Sequence, residues 1–227
     1  MKKLFIKIFC VISVLAAAGY LYYVNFEPNR TQYPVRGIDV SHHQGKINWE
    51  LVAKDDVQFA YIKASEGANF KDVNFMENWR AAKQAGIARG AYHFFSLCVS
   101  GQEQAKNFIQ SVPLETDALF PAIDLEFVGN CDKRPRKEDF LRELKAFTQE
   151  VEKYYQHKLV FYTTGSFYRQ YLSGEDYKGS PLWLRSIVLE PSEKIDWSLW
   201  QYHNCGHVEG IDGPVDLNVV APKDIFD

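Results

Sequence analysis

Strand-like and helix-like segments alternate along this chain, and that alternation restricts the fold more than any other feature. Short apolar, β-branched runs at 35–40, 57–64, 87–95, 118–126 and 159–163 read as strands. Helical patterns separate them. Asn48 caps a brief helix over 49–54. Asp72 opens an amphipathic helix that aligns Phe75, Met76, Trp79, Ala82 and Ala85, with Gly86 where a helix end favours glycine. A third helix covers 101–110. A fourth begins at Pro135 and runs to Tyr155, and a short fifth covers 166–172. Three more strands, near 182–185, 199–202 and 215–219, follow without clear helices between them. Eight strands with helices between the first five predict one parallel, barrel-like α/β domain.

Distinctive polar residues fall at the ends of these strands: Asp39, Lys63 with Glu66 just beyond, His93, Asp124 with Glu126, Tyr162, Arg185, Gln201 and Asp216. In an α/β barrel the C-terminal strand ends converge on the face where active sites are built. Asp124 and Glu126 sit two apart on a strand, so both carboxylates face the same way, about 5–6 Å apart. Two such carboxylates push their pKa values apart, so that one keeps a proton while the other stays ionised. That pair suits cleavage of a glycosidic bond. A rival reading places a divalent metal among Asp39, Asp124, Glu126, Asp216 and His93. It lacks a second well-placed histidine, because His42 and His43 are adjacent and point apart. No Cys/His spacing suggests zinc, so neither metal nor cofactor is expected.

The N-terminus sets the compartment. Lys2, Lys3 and Lys7 precede an uncharged, mostly apolar stretch from Ile8 to Val24. Ala16-Ala17-Ala18 resembles a signal cleavage site. Yet residues 4–24 approach the ~20 needed to span a bilayer, which favours an uncleaved signal anchor with membrane contact. The expected organisation is 1–27 as anchor or signal peptide, 28–34 as linker and 35–227 as a catalytic domain outside the cytoplasm. From residue 28 onward 23 Lys plus Arg oppose 28 Asp plus Glu, a net charge of −5. With no basic tract, nucleic acid is a poor partner. Cys98 and Cys131 each follow a strand end. They form a disulfide if those strands are neighbours, and are free loop thiols otherwise. Cys10 and Cys205 are left unpaired.

From Arg36 to about Val220 the chain resembles the glycoside hydrolase family 25 lysozymes, the N,O-diacetylmuramidases of Chalaropsis type. The residues that carry this are Gly37-Ile38-Asp39-Val40-Ser41-His42-His43-Gln44-Gly45 and Phe59-Ala60-Tyr61-Ile62-Lys63-Ala64-Ser65-Glu66-Gly67. They continue as Gly90-Ala91-Tyr92-His93-Phe94-Phe95, Ala122-Ile123-Asp124-Leu125-Glu126, Trp200-Gln201-Tyr202 and Gly210-Ile211-Asp212-Gly213-Pro214-Val215-Asp216-Leu217-Asn218. The resemblance implies an irregular TIM-like (β/α)5β3 barrel. It implies hydrolysis of the β-1,4 bond between N-acetylmuramic acid and N-acetylglucosamine in peptidoglycan, with net retention.

Glu126 matches the general acid/base, and Asp124 the residue that orients the 2-acetamido group. Asp39 and Asp216 match the other acidic cleft positions. Tyr61, Lys63, Glu66, Tyr92, His93, Tyr162, Trp183 and Gln201 are the candidate sugar contacts. The aromatic residues pack the barrel in the alternative, and His93 is then a core histidine. One departure stands out: Trp183-Leu184-Arg185-Ser186 replaces a stretch that more often reads Trp-x-Ala-Arg-Tyr, which puts the place of Arg185 in doubt. The chain is expected to act as a monomer. Its other reading is a catalytically inactive wall-binding module.

Overall fold

The structure is a computed structural model and describes residues 2–175, 179–192 and 194–223. Helix α1 (Lys2–Val24) precedes the domain. The strands are β1 (Arg36–Val40), β2 (Phe59–Glu66), β3 (Phe70–Lys71), β4 (Ala88–Phe94), β5 (Ala122–Leu125), β6 (Val160–Thr164), β7 (Leu182–Arg185), β8 (Leu199–Gly206) and β9 (Val215–Val220). The order β1-β9-β8-β7-β6-β5-β4-β2 closes on itself through β1–β2, and β3 is a short hairpin extension of β2. The result is the eight-stranded barrel that the sequence predicts. Helices α2 (Trp49–Val52), α3 (Phe75–Gln84), α4 (Gly101–Ser111), α5 (Lys137–Tyr155) and α6 (Gly165–Phe167) follow the first five barrel strands.

One expectation needs correcting. The barrel is not wholly parallel, because β9 runs antiparallel to both β8 and β1. A tight connection through Gly210 and Gly213, both at positive φ, returns the chain without a crossover helix. Asp216 therefore lies near the start of its strand, not its end, yet it reaches the same rim as Asp39, its register partner.

Alternation along the strands divides the apolar residues into two cores. Ile38, Val40, Ala60, Ile62, Ile123, Leu125, Phe161 and Leu184 face outward to the helices. Phe59, Tyr61, Ala122, Val160, Tyr162, Trp183, Leu199 and Val220 fill the barrel. Glycines make room for the interior rings: a Cβ on Gly90 would stand 2.3 Å from the Tyr61 ring, and one on Gly37 2.5 Å from Phe59. On the outer face α5 buries Phe140, Leu144, Phe147, Val151 and Tyr155, a continuous helical stripe. Asp72 does not open α3. Asn74 holds the N-cap position, and Asp72 accepts instead from the backbone N–H of His42 and of Asn74.

Cys98 and Cys131 are bonded, joining the loops after β4 and β5. Cys10 and Cys205 are free and exposed. The last turn of α1 docks on β8: the Tyr23 ring stacks on His203, and its hydroxyl donates to Asn204 Oδ1 at 2.8 Å. Within the 28–34 segment Tyr33 is buried against Trp197 and Trp200 and donates to Glu190. Among the described residues no helix is long and apolar enough to cross a membrane, so the expected spanning segment is not supported.

Candidate active site

The inward positions at the barrel mouth are polar. Asp39, Tyr92, Asp124, Tyr162, Trp183 and Asp216 line a small pocket there, with Glu126 one residue beyond the end of β5. Asp39 is the best supported of the carboxylates. Its Oδ2 accepts from Asn218 Nδ2 at 2.7 Å and Gln201 Nε2 at 2.9 Å. Each amide is held in turn: Trp183 Nε1 donates to Asn218 Oδ1 at 2.8 Å, and the Tyr162 hydroxyl donates to Gln201 Oε1 at 3.1 Å. Donors aimed at one oxygen favour its charged form and oppose the burial that raises the pKa of Asp39. Asp216 hydrogen-bonds to Asp39 and is pushed up to about 9 by burial and then by the Asp39 charge. Within the pair Asp216 is the member that holds its proton and donates to Asp39.

Asp124 and Glu126 lack such support. Asp124 is 8% exposed, and its Oδ1 has no hydrogen-bond partner. Burial first, and the neighbouring Glu126 second, hold it well above the usual carboxylate range. The Glu126 charge thus helps Asp124 keep its proton, and Asp124 is the more firmly protonated of the two in the unliganded site. Glu126 is pushed up to about 7 by burial, with the Arg185 charge opposing and Asp39 adding to the rise. Arg185 Nη1 lies 3.8 Å from Glu126 Oε2, close enough for charge attraction and too far for a hydrogen bond. Arg185 shares the inward face of β7 with Trp183, so the altered stretch still delivers an arginine beside the acid.

The other predicted contacts divide. Tyr92, Tyr162 and Trp183 line the pocket, whereas Gln201 acts beneath it, on Asp39. Lys63 is buried at the rim, donating to Glu66 Oε2 at 2.7 Å, with its ammonium over the Phe94 ring. Tyr61 is a barrel-filling residue: it is fully buried against Trp183, and its hydroxyl donates to the Phe120 carbonyl at the opposite end of the strands. His93 also stands outside the cleft. It neighbours inward-facing Tyr92 and so points outward, wedged between Phe108 and Phe147. Its ring nitrogens meet Ser65 Oγ at 2.8 Å and Gln104 Oε1 at 3.2 Å. A register shift in β2 between Lys63 and Ser65 brings Ser65 to that outer side. Burial lowers His93 to about 3, so it is neutral. The metal-hydrolase reading loses its one histidine, and no group of three or more metal-binding side chains occurs among the described residues. Sequence reasoning passed over Asn218 as a site residue. Its signal was its place two residues after Asp216 on one strand, which puts both on one face.

The match to known proteins agrees with this geometry. The profile for Glycosyl hydrolases family 25 matches residues 38–211. The chain belongs to glycosyl hydrolase family 25. Lysozyme M1 of Streptomyces globisporus is 36% identical over 203 residues, covering 81% of this chain and 67% of that protein. Among solved structures, a family 25 glycosyl hydrolase from Bacillus anthracis superposes with a TM-score of 0.80 at 37% identity, over 86% of this chain and 91% of the other. The bacterial lysozyme from Streptomyces coelicolor gives 0.72 at 35% identity, over 81% and 90%. This family 25 protein is therefore a glycoside hydrolase.

Proposed function

We propose that the protein is a lysozyme that hydrolyses peptidoglycan at the β-1,4 bond between N-acetylmuramic acid and N-acetylglucosamine, with Glu126 as general acid/base. The observation that carries this is Glu126 itself: a carboxyl at the rim of a four-carboxyl cleft, pushed up to about 7, is protonated in mildly acid solution and keeps a large protonated fraction at neutrality. Likeness to lysozymes that cover most of this chain supports the substrate.

In the proposed reaction Glu126 gives its proton to the leaving glycosidic oxygen as the bond to C1 breaks. The 2-acetamido oxygen of the muramic residue attacks C1 from the opposite face. Asp124 accepts the acetamide N–H on Oδ1, the buried oxygen that has no partner in the free protein. That bond and the developing positive charge favour ionised Asp124, its proton passing to Glu126 as substrate binds, and the carboxylate stabilises the cyclic oxazolinium. A water then attacks C1, Glu126 takes its proton, and the acetamide is restored. Two inversions leave the configuration retained. Asp39, hydrogen-bonded to protonated Asp216, lies beneath the sugar ring, and Tyr92 and Trp183 are the stacking surface. Action on the cell wall places the protein outside the cytoplasm.

This predicts that Glu126→Gln lowers kcat on purified peptidoglycan by at least 100-fold. The wild-type rate should fall as the pH rises through about 7, the value to which Glu126 is pushed. A variant with wild-type kcat, or a rate that climbs between pH 6 and pH 9, would contradict the assignment. Anomeric analysis of the first-formed product checks retention.

A further inference from the structure

Next to Arg185 a groove opens that the proposed reaction does not use. Gly165, Tyr168, Arg169, Arg185, Ser186 and Ser192 line it, between the end of β6 and the segment after β7. Its charge is one-sided: among its described lining residues are two guanidiniums and no carboxylate. Arg169 is exposed and forms no ion pair among the described residues. Arg30, Arg89 and Arg136 by contrast are paired with Asp56, with Glu115 and Asp117, and with Asp139, although exposed Arg80 shares the unpaired state of Arg169 among the described residues. Arg185 forms no hydrogen bond with Glu126, so its planar donor fork is available. Arg185 links the two regions: it lines this groove, and its Nη1 lies 3.8 Å from Glu126 Oε2.

We propose that this groove binds the carboxylate carried on the 3-O-lactyl arm of the muramic acid residue being cleaved. The inference rests on the lysozyme reading. Muramic acid differs from glucosamine by this arm, which ends in a free carboxylate or continues into a stem peptide bearing carboxylates. An acid that protonates the glycosidic oxygen sits within one sugar ring of the muramic O3, so the arm falls a few ångströms beyond Glu126. Arg185, 3.8 Å from Glu126 and on the wall of the groove, is within that range. Arginine is the side chain suited to bidentate carboxylate binding. Such a device suits this chain, because a protein of net charge −3 repels an anionic polymer. The shifted Trp183-Leu184-Arg185-Ser186 stretch acquires a role in this reading: Arg185 selects muramic acid.

The test compares the full chain with Arg169→Ala, Arg185→Gln and Arg185→Lys. Three glycan substrates are used: peptidoglycan strands with stem peptides, amidase-treated strands with free lactyl carboxylates, and the same strands with those carboxylates converted to amides. Wild type should cleave the free-carboxylate strands roughly tenfold faster in kcat/KM than the amidated ones. Arg169→Ala and Arg185→Gln should shrink that ratio to about twofold or less, chiefly through KM, with Arg185→Lys between them and wild type. The same losses on free-carboxylate strands assign the ligand to the lactyl group, and losses on peptide-bearing strands alone assign it to the stem peptide. Variants that keep both the wild-type ratio and the wild-type melting temperature overturn the groove and leave the lysozyme reading intact. Failure of wild type to cleave any of the three overturns that reading, and this site with it.

Discussion

Asp39 carries little exposed surface and much of the order of the site. Its Oδ2 collects two amide donors, each locked by an aromatic residue of the barrel interior. Asn218→Ala removes one donor and strands the Trp183 indole N–H, a loss of about 1–3 kcal/mol. The expected outcome is a melting temperature lower by several degrees and a roughly tenfold lower kcat/KM, checked by calorimetry and peptidoglycan turnover. Glu126 has the opposite effect on stability. Its ordinary value is 4.5 and its folded value about 7, so the folded state binds the proton more tightly than the unfolded chain. Its contribution is fully present below pH 4.5 and is lost as the pH rises through about 7. Glu126→Gln abolishes that titration. The variant should melt above wild type at pH 8, with the difference gone below pH 4.5. His93 offers a contrast: His93→Ala should lower the melting temperature through lost packing and lost bonds to Ser65 and Gln104, while the pH limbs of activity stay in place. A moved limb would return His93 to the site.

At the scale of elements, period-two alternation made most of the site legible. Once 121–126 reads as a strand, Asp124 must share a face with Ala122, and Ile123 and Leu125 must face the helices, as they do. The same rule applied to 92–93 would have turned His93 outward, because Tyr92 and His93 cannot both face the cleft. The direction of β9 was not legible, since a short Gly-Pro connection fits a return in either sense until the register with β1 is known. The role of Gln201 was hidden for a related reason: that it lies beneath Asp39 depends on pairings among β8, β9 and β1 that are distant in sequence. Asp72 failed as a helix start because a tertiary partner, the 42–43 turn, claimed its carboxylate. The Cys98–Cys131 bond joins the loops of adjacent strands β4 and β5 across 33 residues of sequence. Its removal by Cys98→Ala with Cys131→Ala should lower stability by about 2–4 kcal/mol, read as a drop in melting temperature. Activity at 25 °C should survive, since neither cysteine lines the pocket.

As a whole, the molecule is a closed barrel whose lower interior is apolar and whose mouth is acidic. Aromatic residues fill the lower layers so tightly that Gly37 and Gly90 must lack side chains, and this rigid plug fixes the carboxyls above it. Burial then does the chemical preparation: it raises all four carboxyls, two amide donors oppose that rise at Asp39, and Glu126 is left near neutrality. The central claim is that this cleft is a muramidase with Glu126 as its proton donor. The most direct measurement treats purified peptidoglycan with the full chain and with Glu126→Gln, reduces the products with borohydride and identifies the new ends by mass spectrometry. The account predicts ends in reduced muramic acid from wild type and almost none from the variant. Ends in reduced glucosamine, or equal release by both proteins, would contradict it.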